Sequence, residues 1–149
     1  MPFLSFDVKG VPGAQGSKRH VGRGVMLESS KKVAPWRTDV RDSALAAMGD
    51  DWQPLTRPAT IDVTFYFLRP RAHYGTGRNA GTLKPSAPTH PTSRAHGDID
   101  KLARSTLDAL VSAGVLRDDS LVTDLQARKR WGDRAGCTIT IIGDGGALS

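Results

Sequence analysis

Residues 97–119 read Gly-Asp-Ile-Asp-Lys-Leu-Ala-Arg-Ser-Thr-Leu-Asp-Ala-Leu-Val-Ser-Ala-Gly-Val-Leu-Arg-Asp-Asp, and this stretch decides the fold. Ile99, Leu102, Ala103, Thr106, Leu107, Leu110 and Ala113 recur at three- and four-residue steps. Such spacing puts them in one stripe along a helix. Lys101, Arg104, Ser105, Asp108 and Ser112 fall on the other face. Gly114 follows the last stripe residue and suits a left-handed C-terminal cap. Asp98 or Asp100 can cap the start, where free N–H groups and the helix dipole favour a negative charge.

After this helix, residues 121–127 alternate as a strand, with Leu121, Thr123, Leu125 and Ala127 on one face. A helix of about fourteen residues is roughly 20 Å long. The strand must therefore return along it. Spacing alone leaves open whether Asp118 and Asp119, in the turn, come near Asp98 and Asp100. A cluster of such carboxylates repels itself unless a cation sits in it, and hard oxygen ligands suit Mg²⁺ or Mn²⁺. Such an ion can assist phosphodiester cleavage. The plainer reading makes one Asp pair a helix cap and the other a turn.

Two runs in and just after this stretch, 97–110 and 113–122, resemble the core of the RusA family of Holliday junction resolvases. The family pattern is Asp-x-Asp-Asn, a Lys one helical turn on, a Leu-Asp-Ala-Leu helix, a Gly, then Asp-Asp. Its members are small, often phage- or prophage-encoded, homodimeric and Mg²⁺-dependent. By this resemblance Asp98, Asp100 and Asp119 take the metal-binding positions, and Asp118 is the neighbouring acid. Arg104 stands where the family has its catalytic Lys, and Lys101 where it has Asn. Arg keeps the charge but does not give up a proton, and it holds phosphate as a fork. Lys101 can instead supply an ammonium from the adjacent turn. The resemblance implies Mg²⁺ as cofactor, with Mn²⁺ able to substitute. It also implies a homodimer acting on branched DNA and cutting to leave a 5′-phosphate.

Composition agrees with a nucleic-acid partner. The 149 residues carry 21 Lys and Arg against 15 Asp and Glu, a net charge of +6. A basic domain of this size favours a polyanion. No apolar run is long enough for a membrane span, and no signal peptide is visible. The lone Cys137 lies in an apolar run and reads as a core residue in a reducing cytoplasm.

Taken in order, residues 3–8 read as a strand with Leu4, Phe6 and Val8 inward. Residues 9–24 form a Gly-rich basic segment carrying Lys18, Arg19 and Arg23, similar to the loop after the first strand in RusA-like proteins. It matches no Walker-type phosphate loop. Glycines there let the backbone approach DNA phosphates closely. Residues 25–27 suggest a short strand, and 35–48 a helix with Pro35 in its first turn. Arg37 and Arg41 lie one turn apart on it, and Trp36 is more easily a packing residue than a base-stacking one.

Residues 59–68 are the clearest strand. Ile61, Val63, Phe65 and Phe67 lie on one face, and Tyr66 and Leu68 on the other, which suggests burial on both sides. The loop 69–95 is long, Pro-rich and acid-free, with Arg69, Arg71 and Arg78. It is expected to be mobile alone and ordered on DNA. His73, His90 and His96 lie in or beside it and read as ordinary loop histidines. Arg128, Lys129, Arg130 and Arg134 surround an expected hairpin at Trp131–Asp133, and Lys129 matches a family basic position. Residues 136–142 form the last strand, and a frayed tail follows.

The expected fold is α/β or α+β, a single domain over residues 1–149: a small mixed sheet of four or five strands with two helices on it. The catalytic candidates are Asp98, Asp100, Asp119, Arg104 and Lys101, and Asp118 joins the acids at the metal. Lys18, Arg19, Arg23, Arg69, Arg71, Arg78 and Lys129 are the DNA-binding candidates. Two other readings stand beside the junction resolvase: a branched-DNA-binding protein that never cuts, and a nuclease for other branched replication intermediates.

Overall fold

The computed structural model describes residues 2–16 and 29–144. Lys18, Arg19, Arg23 and the expected strand at 25–27 lie outside the described residues. Four strands and two long helices make an α+β fold: β1 (Phe3–Lys9), α1 (Ser29–Met48), β2 (Ala59–Leu68), α2 (Ile99–Ala113), β3 (Val122–Gly132) and β4 (Gly136–Gly143). The sheet order is β1-β4-β2-β3. β4 lies antiparallel between β1 and β2, and β3 runs parallel to β2 at the edge.

Parallel neighbours need a crossover. Here it consists of the loop after β2 and the helix α2. This connection brings the start of α2 toward the carboxyl ends of β2 and β3, where open α/β sheets commonly hold their sites.

Both helices cover one face of the sheet. On α1, Trp36, Val40 and Ala44 are buried at one residue per turn. On α2, Leu102, Ala109, Leu110 and Ala113 are buried with them against Ile61, Val63, Phe65, Ile139 and Ile141. Cys137 joins this core, where burial pushes its thiol pKa up. The Trp36 ring lies 6.3 Å from that of Phe65, and its N–H donates to the Thr106 hydroxyl at 3.1 Å. Thr106 in turn donates to Leu102 O at 2.8 Å, so each buried donor is satisfied. Trp36 is thus a packing residue.

Several sequence expectations need correction. The helix α1 begins at Ser29, six residues before Pro35. Pro lacks the N–H of a helix interior. In these added turns the Lys32 carbonyl packs on Gly13, so closely that a Cβ there would overlap it. Ser105 is buried rather than exposed, and its hydroxyl donates to Gly13 O at 2.6 Å and to Leu102 O at 3.0 Å. The stripe of α2 is therefore wider than its apolar residues show.

The strand after α2 runs to Gly132, five residues past its expected end. It makes no hairpin with β4. Both strands pair with β2, and residues 133–135 carry the chain across β2 near its end. Gly132 allows this crossing, since a Cβ there would lie 3.0 Å from Tyr66 Cβ.

The second face of β2 is not covered. Leu68 is 61% exposed, and no second layer lies over the sheet among the described residues. That face is instead laced by polar pairs. Ser5 meets Thr140 at 3.1 Å, Thr138 donates to Asp7 at 2.8 Å, and Arg128 pairs with Asp62 at 2.9 Å.

The loop after β2 is built from turns rather than irregular coil. Short 3₁₀ turns occupy Arg71–His73, Gly77–Asn79 and Arg94–His96, and Tyr74 bridges to Leu83. Its local bonds, such as Gly75 N–H to Thr82 O at 2.9 Å, fold it on itself without DNA.

Candidate active site

The start of α2 sets the site. Asp98 occupies the N-cap position, but its carboxylate makes no capping bond. It turns instead to Lys101, whose Nζ lies 3.3 Å away. Asp100 stands in the first helical turn, exposed and with no ion pair among the described residues. Both carboxylates line an open cleft of about 520 Å³ whose opposite wall is Ala127–Arg130 of β3, with His90 at its rim. β3 is an edge strand, so this wall presents three consecutive basic residues and a backbone edge unpaired among the described residues.

Lys129 fixes the geometry. Its Nζ donates to Gly97 O at 2.9 Å and ties the residue before Asp98 to the sheet. Gly97 adopts φ +82°, a conformation that favours glycine, and a Cβ there would lie 2.6 Å from Ala14 Cβ. Arg128 is held by Asp62 through two bonds, at 2.9 and 3.1 Å, and by Thr64. The Arg128 bond holds the Asp62 carboxyl below its usual range.

Behind the acid pair, aromatic and basic side chains anchor the long loop. His96 lies 4.8 Å from Phe67 and 5.2 Å from Trp131, ring to ring. His73 meets Trp131 edge-on at 5.3 Å, and the Arg69 guanidinium sits 4.8 Å from the Trp131 centroid. Arg69 and Trp131 both donate to Pro88 O, at 2.8 and 3.1 Å. Burial first, then the charges of Lys129 and Lys32 and the nearby His73, push the His96 pKa down. His96 is thus an aromatic wedge rather than an ordinary loop histidine. Arg69 is engaged in this anchor, whereas Arg71 and Arg78 stand exposed in their 3₁₀ turns.

The remaining acids lie elsewhere. Asp118 and Asp119 follow α2, at its far end, and precede β3. A fifteen-residue helix separates them from Asp98 and Asp100 by about 22 Å. The Asp118 carboxylate accepts from the Ser120 hydroxyl at 2.7 Å and from the Asp119 N–H at 2.9 Å. These bonds, the Ser120 hydroxyl foremost, hold its pKa down. Among the described residues, no group of three or more Asp, Glu, His or Cys side chains is arranged to hold a metal ion.

The structure therefore brings Asp98, Asp100, Lys101 and Lys129 together and leaves Asp118 and Asp119 apart. Arg104 is exposed one turn beyond Asp100, outside the cleft lining. The sequence reading missed His90, Arg128 and Arg130 as cleft residues. The signal for the two arginines was the continuation of β3: Ala127, Lys129 and Trp131 alternate with them. For His90 no local signal exists, because the fold of its loop places it.

The donor set fits a hard cation. Mg²⁺ is commonly held by one or two carboxylates, with substrate phosphate and water completing its shell. Asp98 and Asp100 supply the two carboxylates on an open wall.

Among known families, the model described as endodeoxyribonuclease RusA matches residues 7–142. No curated protein matches the chain significantly.

Proposed function

Because the chain belongs to the endodeoxyribonuclease RusA family, we propose that it is a Mg²⁺-dependent endonuclease that resolves four-way DNA junctions. The observation that carries this reading is the pair Asp98 and Asp100 facing a basic strand edge across one cleft. In this reading the basic edge, Arg128 to Arg130, receives the DNA strand. Its cationic side chains offset the phosphates, and the acid pair holds the ion. When bound, Mg²⁺ stabilises the charge that builds on the phosphodiester and on its leaving oxygen. Lys101 keeps the Asp98 carboxylate in place and stands one turn from Arg104, so either cation can meet the scissile phosphate.

Asp119 enters this scheme only through a second copy. Within one chain, α2 holds it a helix length away from the acid pair. A two-fold dimer can bring Asp119 of one copy to Asp98 and Asp100 of the other, and an isologous contact does this twice. Two sites related by such an axis match the paired cuts that a junction needs.

The test is incubation of labelled four-way junction, duplex and single strand with the protein, in Mg²⁺ or EDTA. The expected result is paired cutting of the junction in Mg²⁺ alone, with binding in both. Binding without cutting in any divalent ion contradicts the nuclease reading and favours a structural DNA-binding protein.

A further inference from the structure

We propose that Lys32 and Arg94 hold the DNA phosphate that neighbours the one cut, in a pocket of their own beside the acid pair. The proposal rests on the nuclease reading above. The pocket encloses about 380 Å³ between Pro12 and Ala14 of the loop after β1, Lys32 of α1, and the turn 94–97. It shares a wall with the cleft: Gly97 lines one and Asp98 the other. Consecutive Cα atoms are about 3.8 Å apart, so the two spaces are neighbours on the scale of a nucleotide.

Its walls are pinned from several sides. The glycine at 97 lies against Ala14, and Gly13 against the Lys32 carbonyl, with no room for a Cβ at either. Ser105 ties Gly13 to α2, the Gln15 N–H donates to Lys101 O at 3.1 Å, and Lys129 ties Gly97 to β3. A pocket so held is formed before a ligand arrives, which lowers the ordering cost of binding.

Its charge selects an anion. Among the described residues, no acidic side chain lines it. Lys32 makes one long bond among the described residues, to Ala95 O at 3.3 Å, and an ammonium has three donors, so it can also donate to an anion in the pocket. Arg94 is exposed and has no acidic partner among the described residues. A guanidinium fork beside a point-like ammonium suits a phosphodiester. DNA phosphates come in series, so a strand with one phosphate at Asp98 and Asp100 presents the next to this wall.

The test is the salt dependence of junction binding in EDTA, where cutting plays no part. The double variant Lys32→Ala, Arg94→Ala should flatten the slope of log K against log salt by about 0.9, the value for one neutralised phosphate on duplex DNA. Lys32→Arg with Arg94→Lys should restore it, and Arg57→Ala, which removes a charge elsewhere, should leave it near wild type. A double variant with the wild-type slope overturns the proposal. So does an equal effect of Arg57→Ala, or inorganic phosphate that binds the pocket while DNA affinity is unchanged in the double variant. A wild-type protein that binds the junction but never cuts it refutes the nuclease reading instead, and the slope still decides whether the pocket takes a phosphate.

Discussion

At the scale of single residues, the site depends on Gly97 as much as on its acids. This residue adopts a positive φ, lies against Ala14, accepts the Lys129 ammonium and sets the entry of Asp98 into α2. Gly97→Ala should destabilise the protein by about 1–3 kcal/mol, as expected for strain at a special backbone position. It should also reduce cutting, because the loop before Asp98 must shift to admit the methyl. Thermal unfolding and junction cleavage of the same variant check both effects. A variant as stable and as active as wild type would show that the close approach is dispensable. Gly97 was legible in sequence only as the residue before the acid pair, since its neighbour Ala14 is distant in the chain. The burial of Ser105 is hidden in the sequence for a similar reason. A hydroxyl reads as a surface group unless its buried acceptor, here Gly13 O, is known.

At the scale of elements, α2 and β2 were readable because their periodicities are clean. The observed strand Ala59–Leu68 has the bounds that alternation predicts, and α2 ends at Gly114 in the left-handed cap that its position suggests. The Arg-Lys-Arg run hides the alternation that carries β3 on to Trp131. The hairpin expected there fails because β2, distant in sequence, takes both strands as partners. No local pattern encodes that choice.

The wedge of His96 between Phe67 and Trp131 gives the loop anchor a pH dependence. The His96 pKa is lowered in the folded state, so as pH falls through the ordinary histidine value of about 6.5 the unfolded chain takes up the proton first. The stability contribution is full above that value and is lost as pH falls through this range. Melting temperature should drop between pH 7.5 and 5.5, and His96→Phe, which keeps a ring in the stack, should flatten the drop. An identical pH profile in wild type and His96→Phe would assign the dependence to other groups.

At the scale of the whole molecule, the acids are divided between the two ends of α2. Sequence spacing left this open, because a returning strand brings the chain back to Asp98 at residues 127–130, not at 118–119. The open sheet face with Leu68 and the edge of β3 are surfaces that the described residues leave uncovered. A shared site has a direct signature. Asp100→Asn and Asp119→Asn should each be inactive, yet a re-equilibrated mixture should regain cutting, since half of the mixed dimer's sites carry both wild-type acids. Absence of any rescue, with mixed dimers demonstrated by light scattering or by tagged subunits, would place the two acids in independent roles.

In the proposed function, the carboxylates at the start of α2 perform metal-dependent cleavage, while the basic surface binds DNA without them. The most direct measurement compares wild type with Asp100→Asn on one labelled four-way junction in Mg²⁺, following binding and cutting together. Asp100 is exposed and makes no ion pair among the described residues, so the substitution should leave the fold intact. The expected result is cleavage reduced by at least two orders of magnitude, as for the loss of a principal electrostatic contributor, with junction affinity equal to or above wild type. Undiminished cleavage by Asp100→Asn would contradict the assignment of the site.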